Sequence, residues 1–272
     1  MIQDLRANSE MFLIAYNRIL DRAGRATEQI TSGKRVNSPS DDPDQVANIL
    51  LMRANLDRAS QIGRTLSRIQ SETDVADQAL SNAVTVLESI NTLGTQGATG
   101  TQTAEARQAI ADQVESLFGQ LVQLANTSQE GRYIFHGDNE QTAPFSLDPA
   151  QANGVSVYDG ANATRQALHP SGTTFAYSKT AAEIFDNPAA GKNVFQVVND
   201  LRFALEANDP AGIETAMAGM RTVQNHLNSG LAYYGSVQKT VAAAVESSSE
   251  VEPRCQPSLS GPIRFSAGTR AS

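Results

Sequence analysis

His136 sits near Asp138 and Glu140, and an imidazole beside two carboxylates can bind a divalent metal or relay a proton. Three well-spaced ligands are not evident, and a lone turn histidine among solvated carboxylates accounts for the pattern. His169 and His226 are isolated, and no nucleophile, base and orienting group suggest themselves as a set. Gly94-Thr95-Gln96-Gly97 offers two spaced glycines, but no strand precedes them and no Lys-Ser/Thr pair follows, so a phosphate loop is not indicated. The single cysteine, Cys255, rules out an intrachain disulfide and a multi-cysteine metal site. The expectation is a chain with no catalytic residues, no metal and no cofactor.

Composition points away from other classes too. There is no Trp and only 6% aromatic residues, which is poor material for a deep three-dimensional core. The formal net charge is -8, and Lys and Arg are dispersed without a basic stripe, so nucleic acid is not an expected partner. No apolar run reaches the roughly 18 residues that cross a bilayer, so membrane insertion is not expected. Met1 to Arg6 does not open a charged-then-apolar leader, so no cleaved signal peptide is expected.

The elements that would position any site are helices. Leu5, Ser9, Phe12, Tyr16, Ile19, Ala23, Ala26 and Ile30 recur at alternating steps of four and three, a heptad seam. Gly33 ends that helix, and Pro39 with its polar neighbours makes a loop. Asp42-Pro43-Asp44-Gln45 starts a new helix, with a cap, a first-position proline and an acid at the dipole's positive end. Its seam runs Ala59, Ile62, Leu66, Ile69, Thr73, Ala76, Leu80, Ala83, Leu87, Ile90. Gly94 to Thr103 reads as a break, and a third helix over 104–128 as the antiparallel partner. Strand composition then appears at 132–136, 155–158 and 173–177, followed by helices over 193–207 and 210–248. The predicted fold is mainly α, an elongated antiparallel coiled-coil-like rod with a small β-rich insert. Its parts are an N-terminal helix and loop (1–43), rod helices (44–130), the insert (131–192), returning helices (193–250) and an irregular tail (251–272).

Thr31-Ser32-Gly33-Lys34-Arg35-Val36-Asn37-Ser38-Pro39-Ser40-Asp41-Asp42-Pro43 resembles the helix–loop–helix turn of the bacterial flagellin and hook-associated-protein superfamily. Gly33, Lys34, Arg35, Asn37, Asp41, Asp42 and Pro43 carry the match. Gly131-Arg132-Tyr133-Ile134-Phe135-His136-Gly137, then Thr142-Ala143-Pro144-Phe145, is similar to the hook-associated branch rather than to flagellin. There Gly131, Tyr133, Ile134, Phe135 and Gly137 carry the match. The resemblance implies a structural subunit of the flagellum, not an enzyme, that joins hook to filament by lateral packing of helical rods. It implies a seam for assembly at Leu5, Phe12, Tyr16, Ile19 and Ile30. Its partners would be other axial subunits (hook-associated proteins and flagellin), copies of itself, the flagellar export apparatus and an export chaperone. Its place would be extracellular, reached through the flagellar channel. The rivals are a flagellin filament subunit and, from another class, a coiled-coil scaffold or signalling protein.

The tail departs from that family. Val251 to Ser272 holds Pro253, Pro257 and Pro262 and no heptad, where the family ends in a long helix that pairs with the N-terminal one. The tail reads as a shifted reading frame or aberrant terminus, which would leave the first helix without a partner.

Overall fold

The computed structural model describes residues 2–32, 43–137, 139–160, 164–189 and 191–259. Among the described residues six helices dominate: α1 (Ile2–Ser32), α2 (Pro43–Gly97), α3 (Ala104–Ala125), α4 (Ala181–Ile184), α5 (Val194–Glu206) and α6 (Pro210–Leu259). Four short strands lie between α3 and α4: β1 (Ser128–Gln129), β2 (Arg132–Tyr133), β3 (Gln166–Leu168) and β4 (Thr174–Ala176). They form two separate antiparallel pairs, β1 with β2 and β3 with β4. The chain divides into one unit of residues 1–61 with 247–272 and a second of residues 62–246.

In the second unit the heptad reading holds along α2. Leu66, Ile69, Thr73, Ala76, Leu80, Ala83, Leu87 and Ile90 are all buried. The α6 seam is as regular: Ile213, Ala216, Met220, Val223, Leu227, Gly230, Tyr234, Val237, Val241 and Ala244 alternate steps of three and four. Cross-links between the two helices fix their alignment. Gln238 donates to Asp74 at 2.9 Å, and a β-carbon on Gly230 would lie 3.6 Å from Leu80 Cδ1. Helix α3 packs on α5, with Phe118 edge-on to Phe195 at 5.8 Å. One apolar cluster runs from Ala76 on α2 through Val114, Phe135, Phe195 and Leu201 to Tyr234.

Local chemistry starts these helices. The Thr103 side chain accepts from Ala106 N ahead of α3, and Asn193 does the same for Gln196 N ahead of α5. Thr180 and Glu183 form a reciprocal capping box that holds the single turn of α4.

Four expectations need correction. The Gly-rich break does not begin at Gly94, because α2 continues to Gly97. Both glycines are used for close approach: a β-carbon at Gly97 would stand 2.3 Å from Leu205 Cδ2, and one at Gly94 the same distance from Met217 Sδ. Replacing Gly97 by valine should therefore destabilise the second unit by about 1–3 kcal/mol through overpacking, read from the midpoint of chemical unfolding. Helix α3 stops at Ala125 rather than 128, since Asn126 is committed to the insert. Strand expectations at 132–136 and 155–158 were too long. Only Arg132–Tyr133 forms a strand in the first, and Val155 makes an isolated bridge to Leu147 in the second. The last correction concerns the tail. Helix α6 passes Pro253 and Pro257 and ends at Leu259. The two prolines are one turn apart, and each removes the donor that would reach the carbonyl four residues earlier, Ser249 and Pro253. Residues 260–272 lie outside the described residues.

Candidate functional site

Two groups of residues singled out by the sequence are placed by the structure. The first is the seam of α1, in the first unit. Phe12, Tyr16, Ile19 and Ile30 are 69%, 51%, 63% and 69% exposed. Phe12 and Tyr16, one turn apart, stack with ring centroids 6.3 Å apart. Leu5 lies within the same helix. The apolar surface is wider than one seam, because Met11, Leu13, Ile14 and Leu20 are exposed beside it. On α2, within the same unit, Leu50 and Leu51 are exposed as well. So many large apolar groups in water are the usual mark of a surface built for a partner. The loop motif Gly33, Lys34, Arg35, Asn37, Asp41 and Asp42 lies outside the described residues, and Pro43 opens α2.

The second group is Gly131 to Gly137, in the second unit. Glu130 and Gly131 have φ of 52° and 78°, and Gln129 pairs with Arg132 across them. A two-residue hairpin loop with two positive φ values is the turn that suits the twist of paired strands, and glycine enters it without a β-carbon penalty. Tyr133 N donates to Glu140 O at 2.9 Å. Ile134 and Phe135 turn inward and are buried. Phe135 meets Phe185 at 6.1 Å and Tyr234 at 6.2 Å, both edge-on, while its carbonyl accepts from Ala181 N at 2.7 Å. Gly137, with φ of 62°, turns the chain back. Asn126 then holds the following Thr142–Phe145 segment from both sides: its Nδ2 donates to Phe145 O at 2.7 Å, and Phe145 N donates to its Oδ1 at 3.0 Å. The motif is an anchor that fastens the insert to α3, α4 and α6.

His136 is not in a solvated turn. It is fully buried, with Nδ1 2.6 Å from the Thr142 carbonyl and Nε2 3.0 Å from the Asp159 carboxylate. Its partner is 23 residues away, not Glu140. Glu140 serves another residue that the sequence did not announce, Arg165. Arg165 reaches Glu140 at 2.9 Å and Glu72 of α2 at 2.6 Å, donates to the Ile134 carbonyl and lies over the Tyr177 ring. Burial raises the Glu72 carboxyl above its ordinary range, and the Arg165 charge partly offsets this. A single arginine among dispersed charges carries no local signal, so only the fold could reveal it.

Tyr234 is raised well above the ordinary phenol range by burial, an effect that the hydrogen bond from Lys179 N opposes. Because the folded value is raised, its neutral form supports folding fully below the ordinary tyrosine range, and that support is lost as pH climbs toward the folded value. Tyr234→Phe should lose about 1 kcal/mol at neutral pH and show a shallower fall in stability in alkali, measured by denaturant titration across a pH series.

Among the described residues no group of three or more His, Cys, Asp or Glu is placed to hold a metal, and no helix is long and apolar enough to cross a membrane. A family model, the bacterial flagellin N-terminal helical region, matches residues 15–140. Flagellar hook-associated protein 3 of Escherichia coli strain K12 is 28% identical over 223 residues, spanning 75% of this chain and 68% of the relative. This chain is similar to flagellar hook-associated protein 3 over three quarters of its length. The structural comparison agrees on the fold. Flagellar hook-associated protein-3 from Legionella pneumophila superposes with a TM-score of 0.68 at 15% identity, covering 78% of this chain and 98% of that one. Flagellin of Clostridium tyrobutyricum, at 29% identity, reaches only 40% of this chain and 29% of its own length. The hook-associated relative therefore accounts for more of the chain than the flagellin does.

Proposed function

We propose that this chain is a non-enzymatic structural subunit of the bacterial flagellum that joins hook to filament, packing laterally through the apolar face of α1. The observation that supports this best is the row Phe12, Tyr16, Ile19 and Ile30, exposed to water on one helix of a chain similar to a hook-associated protein. Burying such a face against another helix recovers about 1.5–3 kcal/mol per large side chain, which suits a protein that is finished only by assembly. Its partners are other axial subunits and copies of itself. It reaches the outside of the cell through the flagellar export apparatus, attended by an export chaperone. A filament subunit is the second reading, since the family model is that of flagellin. The lower coverage by flagellin weighs against it. A coiled-coil scaffold of another class leaves the anchored insert without a purpose.

The test is complementation in a motile bacterium that lacks its own hook–filament junction protein. Expression of the chain should restore filaments attached to hooks, with the chain labelled at the base of each filament. Label spread along the filament would favour the flagellin reading. Hooks that stay bare while the chain accumulates in the medium would overturn the junction role.

A further inference from the structure

Asn153-Gly154 pairs a side-chain amide with the following residue's backbone nitrogen, which has no β-carbon beside it to hinder attack. We propose that Asn153 is a site of spontaneous deamidation that the folded insert suppresses. In the reaction the deprotonated Gly154 nitrogen attacks Asn153 Cγ. The new N–Cγ bond forms as the Cγ–Nδ2 bond breaks, and the nitrogen leaves as ammonia with the proton that Gly154 gave up. Water then adds to either carbonyl of the five-membered imide and opens it to aspartate or isoaspartate. No oxidant, reductant or enzyme takes part.

The fold blocks this in three ways. Gly154 N, the attacking atom, is tied by its proton to the Gln151 carbonyl at 3.0 Å. Asn153 Nδ2, the leaving group, donates to Asp186 Oδ1 at 2.9 Å. The preceding carbonyl, Ala152 O, is held by Asn199 Nδ2 of α5 at 2.9 Å. The imide needs the side chain to swing onto its own backbone, and each of these bonds must break first. The bond from Asn153 Nδ2 to Asp186 can form again only if Asn153 is still an amide. Asp186 also accepts from Asn193, the capping residue of α5, at 2.5 Å. A carboxylate at position 153 would replace that amide donor with a second negative charge facing Asp186. Deamidation is thus a one-way mark of time spent unfolded.

The experiment uses the full chain, incubated in mildly alkaline buffer, folded or in concentrated urea, with Asn153 followed by peptide mapping and mass spectrometry. Conversion should be at least about tenfold faster in urea, since local opening gates the folded reaction. Asp186→Ala, with its fold checked by circular dichroism, should raise the folded-state rate several-fold. If that variant does not fold, Asn153→Asp and Asn153→Ala give the second reading: the aspartate should unfold at lower urea than the alanine. Equal rates with and without urea would overturn the proposal. So would an intact Asn153 after long incubation in urea, or an aspartate variant as stable as the alanine one.

Discussion

Phe135→Ala should cost the second unit about 3–5 kcal/mol, read from its urea unfolding midpoint. The ring is fully buried and meets the rings of Phe185 and Tyr234 edge-on. Removing it leaves a cavity that three separate elements line, and none can collapse into it alone. The turn between Ile134 and Gly137 fixes its backbone, Tyr234 is pinned by the bond from Lys179 N, and Phe185 caps α4. Phe203→Ala is the control. That ring is 46% exposed on α5, and its loss should fall within about 0.5 kcal/mol of the parent. If Phe135→Ala costs under about 1 kcal/mol, the Gly131–Gly137 motif is not the anchor described above.

The second large effect concerns assembly and leaves stability alone. Phe12→Ser, Ile19→Ser and Ile30→Ser combined should abolish filament attachment in the complementation assay. Three side chains at about 1.5–3 kcal/mol each amount to on the order of 5 kcal/mol or more, over a thousandfold in affinity. Because all three are exposed in the isolated chain, unfolding of the second unit should be unchanged. Unaltered numbers of attached filaments would show that α1 is not the packing face.

How much of this could be read in advance depended on the range of each signal. The α2 seam was legible residue by residue from Leu66 to Ile90, because a heptad repeats its message every two turns and survives any single departure, such as Thr73. The α6 seam was half legible. Ala216 and Gly230 hold buried positions where Met217 and Leu231 beside them are the larger apolar residues, since closely approaching helices want small side chains where the pattern favours large ones. The insert was legible as a place but not as a structure. Strands of two and three residues carry too little alternation to fix a register. Glu130 at positive φ is not a residue that announces a hairpin loop. His136 and Asp159, Arg165 and Glu72, Asn153 and Asp186 are pairs set by topology, and nothing near either member in the chain points to the other. The exposed width of α1 was legible only as a single seam, because the periodic argument looks for one face.

The long cross-links of the second unit have a consequence for the chain as it emerges. Gln238 and Asp74 are separated by 164 residues, and Arg107 reaches back to Gly97 O at 2.8 Å and forward to Asn208, 101 residues on. During synthesis α2 and α3 are complete long before α5 and α6 exist. For that interval the seam from Leu66 to Leu80 has no α6 to cover it, and the Arg107 guanidinium lacks its Asn208 acceptor. Loop closure over such spans costs little more than over short ones, so the delay is one of arrival rather than of search. The vulnerable species is the half-made chain, sticky along α2 until its last third is delivered.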